Sequence, residues 1–258
     1  MKEPAIVFEN VSKYYLLYHQ IVGGVKGFLF HMPRVLREVR NSKLWVLKDL
    51  SFEIYRGETF GIIGRNGVGK STLLQLMASV IKSSSGNITV KGTIAPLLGL
   101  GSGFHPDLTG KENIIVNGMI LGMTKREILG KLGAIMEFAE LGEFIDQPLR
   151  IYSSGMLARL GFSVVVHTEP DILLVDEILT VGDHEFRQKC KAKINDFRER
   201  GGTIVIASHD MGTIQSICDR AMWMEKQRVN EIAEANTTVS NYIAAMQAAP
   251  KTAKAAAI

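Results

Sequence analysis

The sequence predicts an α/β chain built on a mostly parallel sheet with helices on both faces. Three observations predict it. Short apolar, β-branched runs recur at 59–63, 171–176 and 203–207, each with the length and character of a buried strand. Amphipathic helices alternate with them: apolar residues fall at helical spacing over 71–81, and Phe186, Cys190, Ile194 and Phe197 form one stripe over 183–200. A glycine-rich turn joins the first of these strands to the first helix, an arrangement typical of α/β units.

The remaining elements fit around this frame. A first strand reads over 6–10 and another over 50–55. Ser83-Ser84-Ser85-Gly86 is a turn, and 87–95 reads as one further strand. The middle, about 110–168, is helical, with Ile128, Leu132, Ile135, Met136 and Ala139 on one apolar face. Residues 16–45 are glycine-containing, aromatic and basic, and read as an insertion between two strands. The Ala/Lys-rich end, 249–258, is expected to be a disordered tail.

With 258 residues, 46% of them hydrophobic and 22% charged, the composition is that of a globular protein and excludes a disordered chain. No run of about 18 residues is free of polar breaks, so no transmembrane helix is expected. The beginning, Met-Lys-Glu-Pro-Ala-Ile-Val-Phe, lacks the layout of a signal peptide, which predicts a cytoplasmic chain. Cys190 and Cys218 have no metal-ligand spacing and read as reduced core thiols. The net charge is +4, and segment 16–45 alone carries Lys26, Arg34, Arg37, Arg40 and Lys43 against the single acid Glu38.

The densest chemistry lies at Gly64-Arg65-Asn66-Gly67-Val68-Gly69-Lys70-Ser71, which fits G-x-x-x-x-G-K-[ST] between a strand and a helix. Glycines let backbone N–H groups approach phosphates, and the helix N-terminus adds partial positive charge. The pattern assigns Gly64, Asn66, Gly67, Gly69, Lys70, Ser71 and Thr72 to ATP, with Lys70 on the β- and γ-phosphates and the Ser71 hydroxyl on Mg²⁺. A second element is Ile172-Leu173-Leu174-Val175-Asp176-Glu177. Four apolar residues bury the strand and deliver two carboxylates at its C-terminal end, where α/β sheets bind ligands. Taken alone the pair reads equally as surface acids. After a phosphate loop, Asp176 fits the Mg²⁺ carboxylate, and Glu177 the general base for an attacking water.

Between these two elements lies Tyr152-Ser153-Ser154-Gly155-Met156. It resembles the signature motif of ABC ATPases, usually written LSGGQ, with changes at the first, third and fifth places. Ser153 can still donate a hydroxyl, and Gly155 permits close approach at a helix N-terminus. The resemblance extends further. Ala207-Ser208-His209-Asp210 is similar to the switch segment, which implies that His209 contacts the γ-phosphate. Val181-Gly182-Asp183 resembles the D-loop, with Asp183 directed at a dimer partner. Tyr15 is similar to the aromatic residue that stacks on adenine, with Tyr14 as the substitute. The family's usual glutamine, which touches Mg²⁺ and the coupling surface, has no counterpart in Ala95-Pro96-Leu97-Leu98-Gly99-Leu100-Gly101-Ser102-Gly103-Phe104-His105-Pro106.

Leu100-Gly101-x-Gly103-Phe104-His105-Pro106-x-Leu108-Thr109-Gly110 resembles the bacterial polysaccharide exporters of O-antigen, capsule and teichoic acid. So do Ala158-Arg159-Leu160-Gly161-Phe162-Ser163 after the signature, Asp176-Glu177-x-Leu179-x-Val181-Gly182-Asp183, and Cys218-Asp219-Arg220-Ala221-Met222-Trp223. The resemblance spans roughly 5–245. It implies the P-loop NTPase fold of ABC ATPases, with a mostly parallel sheet, an antiparallel β edge and a helical subdomain at about 100–168, in one domain over 1–248. It implies ATP and Mg²⁺ as cofactors and an ATP-sandwich homodimer. The expected partners are a membrane-spanning subunit and a lipid-linked glycan, with no nucleic acid, at the cytoplasmic face of the bacterial inner membrane. Two other readings stay open: an ABC motor for a drug or lipid, and a soluble ABC protein acting on DNA or ribosomes.

Segment 16–45 supports two readings as well. It forms either an extra lobe packed on the domain or an interfacial segment whose cations meet anionic lipid or a glycan-linked pyrophosphate. Each basic residue near an anionic surface contributes about 1 kcal/mol. Replacing Arg34, Arg37 and Arg40 together by Ser separates them. The interfacial reading expects a folded subunit with near-normal basal ATPase and lost glycan export in cells; surviving export would make the segment packing.

Overall fold

The computed structural model describes residues 2–16, 43–98, 101, 103–176 and 183–248. The insertion expected over 16–45 is shorter at both ends, because Leu16 and Lys43 pair as strand residues and Leu44 and Trp45 continue that strand; residues 17–42, the tail 249–258, and 177–182, with Glu177, Val181 and Gly182, lie outside the described residues.

Two sheets form the frame. Strands β1 (Pro4–Leu16), β2 (Lys43–Tyr55) and β4 (Ser85–Val90) make an antiparallel sheet in the order β2-β1-β4. The second sheet has the order β5-β6-β7-β3-β8-β9. Its members are β3 (Thr59–Ile63), β5 (Ile94–Leu97), β6 (Ile172–Asp176), β7 (Thr203–Ala207), β8 (Arg220–Glu225) and β9 (Arg228–Glu234). All pairs in it are parallel except β8 with β9. The three strands read from β-branched runs are those at its centre, buried on both faces as expected.

Seven α-helices, with two short 3-10 helices at Gly142–Asp146 and Leu149–Ile151, complete the described chain. They are α1 (Lys70–Met77), α2 (Gly110–Ile120), α3 (Lys125–Ala139), α4 (Ser154–Val166), α5 (His184–Glu199), α6 (Met211–Ile217) and α7 (Ala235–Ala248). Capping boxes begin α2 and α3: Thr109 pairs reciprocally with Glu112, and Thr124 with Glu127. One core lies between the sheets, where Phe8, Phe52 and Phe60 stack and Leu73, Leu74 and Met77 of α1 pack beside them. The opposite face of the large sheet carries a second core around Phe162, Phe186 and Cys190. A third core belongs to the helices alone and contains Ile114, Ile128, Ile135, Leu160 and Val164. Helix α4 therefore supplies both the second and the third core.

The single strand expected over 87–95 is two strands in different sheets. The chain turns at Gly92, whose φ of +116° suits glycine. Beyond the turn Thr93 donates from both its backbone N–H and its hydroxyl to one Asp171 oxygen, at 2.7 and 2.9 Å, which docks β5 beside β6. Both cysteines are free thiols, and burial pushes each up to about 12.

The buried acid Glu58, 2% exposed, lies just before β3. Its Oε1 accepts from Tyr55 N–H at 2.8 Å and from Arg220 Nη1 at 3.1 Å, so the start of β8 is tied to the start of β3. Arg220→Met keeps the stem over the Tyr55 and Phe60 rings but leaves the carboxylate without its cation. The expected loss is about 3 kcal/mol, read from denaturant unfolding; Glu58→Gln combined with it should recover part of that loss.

Candidate functional site

The large sheet brings three strand ends to one edge. Asp176 at the end of β6 is the register partner of Ala207 at the end of β7, and Ala207 is in turn the partner of Ile62 in β3. The glycine loop leaves β3 at Gly64, Asp176 ends β6, and Ser208-His209 follows β7. All three predicted elements thus emerge together at the C-terminal edge, as parallel pairing requires.

The loop is shaped by close approach. Gly69 has φ +108°, and a Cβ there would lie 2.8 Å from Leu47 Cδ2 and 3.0 Å from the Val46 carbonyl. Lys70 opens α1 and folds back into the loop, its Nζ donating to the Gly64 carbonyl at 2.8 Å and to that of Arg65 at 3.4 Å. Lys70 as a residue is only 8% exposed, so it lies buried within the loop. Asn66 and Gly67 are exposed at the rim, and Ser71 and Thr72 lie on the first turn of α1. Ser71 and Asp176 line one cleft of about 480 Å³, with Gln75, Pro96, Leu98 and Asn117. A hydroxyl and a carboxylate facing one space are hard oxygen donors of the kind Mg²⁺ takes beside phosphate oxygens.

His209 is exposed beyond Ser208, whose Oγ accepts from the Asp210 N–H at 3.0 Å while Asp210 caps α6. Tyr15 is 41% exposed at the end of β1, with Lys13 Nζ 4.9 Å from its ring centre. It pairs with Leu44, placing it on the same face of β2 as Val46, the residue against Gly69. Tyr14 instead packs edge-on against Trp45 at 5.1 Å, with Lys43 over its ring.

Ser153 and Gly155 lie elsewhere. Ser153 is the N-cap of α4, its Oγ accepting from Met156 N–H at 3.2 Å. Tyr152 is buried beneath, its hydroxyl donating to the Phe144 carbonyl. With Arg159 and Asp183 they line a shallow depression of about 830 Å³ that shares no residue with the phosphate-side cleft. The two clefts are thus separate on the chain.

The family model described as ABC transporter matches residues 47–180, from β2 through the phosphate loop and signature helix to just past Asp176. The chain belongs to the ABC transporter family. It is 48% identical over 95% of its length to the O-antigen export system ATP-binding protein RfbB of Klebsiella pneumoniae, covering 99% of that protein. It is 43% identical to the teichoic acids export ATP-binding protein TagH of Listeria innocua, over 93% of this chain and 70% of that one. Among solved structures, a dimeric ATP-binding cassette in a post-hydrolysis state with ADP and phosphate superposes with a TM-score of 0.69 at 19% identity, over 89% of this chain and 98% of the other. The fold is thus the ABC ATPase fold.

Within this ABC chain the sequence left some site neighbours unassigned. Gln75 and Asn117 line the cleft beside Ser71 and Asp176, and Asn113 sits one turn before Asn117 on α2. Two buried asparagines at i and i+4 were the available signal. Arg159 and Glu140 were missed as well. Arg159 donates to Asp183 Oδ2 and to Glu140 Oε2, at 2.5 and 3.3 Å. Asp183 also caps α5, accepting from Phe186 N–H at 2.9 Å. That N–H first, and Arg159 after it, hold the Asp183 carboxyl below the usual carboxylate range.

Ser153→Ala removes the α4 cap and should cost about 1 kcal/mol of stability. Nucleotide affinity of the isolated chain should be unaltered, because the phosphate loop lies in the other cleft. Thermal unfolding and equilibrium titration with a fluorescent ATP analogue check the two halves.

Proposed function

We propose that this chain is the ATP-binding and ATP-hydrolysing subunit of an exporter for a lipid-linked, O-antigen-like polysaccharide. The observation that carries this reading is the separation of the two half-sites: Lys70, Ser71 and Asp176 at the sheet edge, Ser153 and Gly155 in their own depression. The names of the relatives similar over nearly its whole length support the cargo class.

Two copies in opposed orientation complete two sites; solved cassettes of like fold are themselves dimeric. Tyr15 stacks on adenine. Lys70 exchanges its two carbonyl partners for β- and γ-phosphate oxygens, and the helix N-terminus behind it adds favourable field. Ser71 and Asp176 hold Mg²⁺, which supplies charge neutralisation on the phosphates. Glu177 orients and deprotonates the attacking water, and His209 contacts the γ-phosphate. Ser153 and the N-terminus of α4 come from the other copy and close over that phosphate. Nucleotide bound this way favours the closed pair, and loss of phosphate releases it.

No helix among the described residues is long and apolar enough to cross a membrane. In the proposed assembly a separate membrane-spanning subunit carries the glycan, and this chain works at the cytoplasmic face of the bacterial inner membrane. The apolar rim residues Val80 and Ile120, 63% and 66% exposed beside the nucleotide cleft, offer that subunit a surface. Residues 17–42, between β1 and β2, are assigned from their basic and aromatic sequence to the lipid or glycan.

Glu177→Gln should bind ATP normally, lose turnover by roughly 10²–10⁴-fold and trap a dimer in light scattering with ATP. Wild-type turnover would remove Glu177 from its role. Lys70→Ala should lose nucleotide affinity itself. In a cell whose O-antigen-type export depends on this chain, both variants should abolish surface glycan; export by the Lys70 variant would sink the reading.

A further inference from the structure

Another cavity lies at the far edge of the large sheet, where β6 and β7 begin rather than end. It holds about 330 Å³, a size that admits a small molecule, and shares no residue with either cleft described above. Ile172 and Leu173 at the start of β6 and Thr203 at the start of β7 line it. The length of β6 sets it about 13 Å from Asp176.

Its lining is of two kinds. Ile172, Leu173, Ile194 and Phe197 make it apolar on one part. Phe197 is held there by the turn that follows α5: a Cβ on Gly202 would come within 2.3 Å of the ring, so only glycine lets the ring lie so close. Four cations line the rest. They are Arg56 between β2 and β3, Lys91 after β4, Lys193 in α5 and Arg200 just past that helix.

Two acids share the lining, Glu169 and Asp171, and both are already engaged. Asp171 Oδ2 accepts from the Thr93 N–H and hydroxyl, and Glu169 Oε2 lies 3.0 Å from Lys131 Nζ. These contacts hold both carboxyls below the usual carboxylate range, with Arg56 adding to the effect on Asp171 and Arg200 and Lys193 to that on Glu169. Arg56 and Lys91 share Glu3 at 3.5 Å, and Arg200 meets Asp196 at 2.9 Å. Such pairs between exposed side chains contribute little, so a ligand oxygen displaces them at small cost. The lining thus carries four cations against two occupied acids. A phosphate monoester, at about −1.5 to −2 near neutral pH, matches that excess. A carboxylate matches half of it, and arginine presents paired donors that suit phosphate oxygens.

We propose that this cavity binds a small organic phosphate, with the phosphoryl group on the cations and an apolar body against Ile194 and Phe197. The site is independent of the nucleotide cleft, and the proposal stands whether or not the chain hydrolyses ATP.

The test is calorimetric titration of the full chain, saturated with Mg-ADP so that the phosphate loop is occupied. Phenyl phosphate is the probe, with inorganic phosphate and benzoate as partial mimics. Phenyl phosphate should bind about tenfold more tightly than either mimic, because only it supplies both the dianion and a buried ring. Its affinity should fall as salt is raised. The double variant Lys193→Gln/Arg200→Gln should lose about tenfold in affinity for the probe, while its affinity for a fluorescent ATP analogue stays at the wild-type value. Should that variant fail to fold, Arg56→Gln, on a separate turn, repeats the measurement. No binding to the wild-type chain at millimolar probe, undiminished binding in the variant, or equal affinity for inorganic phosphate would each overturn the proposal. Probe binding that vanishes in Lys70→Ala would place the probe in the phosphate loop and overturn it as well. Failure of the wild-type chain to bind the ATP analogue would instead strike the nucleotide reading alone.

Discussion

Everything at the candidate site depends on the parallel register of β6, β7 and β3. Because Asp176, Ala207 and Ile62 are drawn into line by one continuous ladder, a carboxylate, the residues after Ala207 and the phosphate loop arrive at a common edge. A slip of one residue in β6 would turn Asp176 to the opposite face of the sheet. The ladder is itself fixed from below, where Glu58 joins β3 to β8 through Arg220 and Asp219 accepts from the Thr59 N–H at 2.8 Å. The start of the central strand is thus held by groups that tolerate little displacement.

The polar half-sites differ in how they are built. The phosphate loop is backbone geometry enforced by packing: Gly69 lies where β2 leaves no room for a side chain. The signature side is a helix start whose capping hydroxyl serves the protein first, holding Met156 N–H. A second ligand for that hydroxyl comes at no loss of the cap, because an oxygen that accepts from the backbone can still donate its own proton.

Much of this was legible in sequence, and the parts that were not have physical reasons. The buried central strands announced themselves by short apolar runs rich in Ile, Val and Leu, and the phosphate loop by glycines spaced before Lys70-Ser71 between a strand and a helix. The break between β4 and β5 was hidden because a lone glycine at 92 was the whole local signal, while the decisive contact, Asp171 to Thr93, is distant in sequence. The β8–β9 hairpin escaped for a related reason. Its two-residue turn is made by Lys226 and Gln227 at φ +47° and +68°, positions where Asn-Gly would have been the recognisable choice. The pairing of Arg159 with Asp183 and Glu140 depends on three elements meeting, which no periodicity encodes.

Helix α4 presents Phe162 and Val165 to the sheet and Leu160 and Val164 to the helical core. It is common property of two otherwise distinct cores, and that constrains how such a protein can be recombined. A chimera that imports another relative's helices with the junction inside or after α4 would have to satisfy both packings at once. Junctions placed at the loop before α2 and just ahead of Tyr152 would leave the shared helix with its native sheet, so only one contact surface would need to be re-matched. Drift in the helical layer toward a new membrane partner faces the same asymmetry: α2 and α3 are free to change in step with each other, whereas α4 is tethered to the catalytic frame.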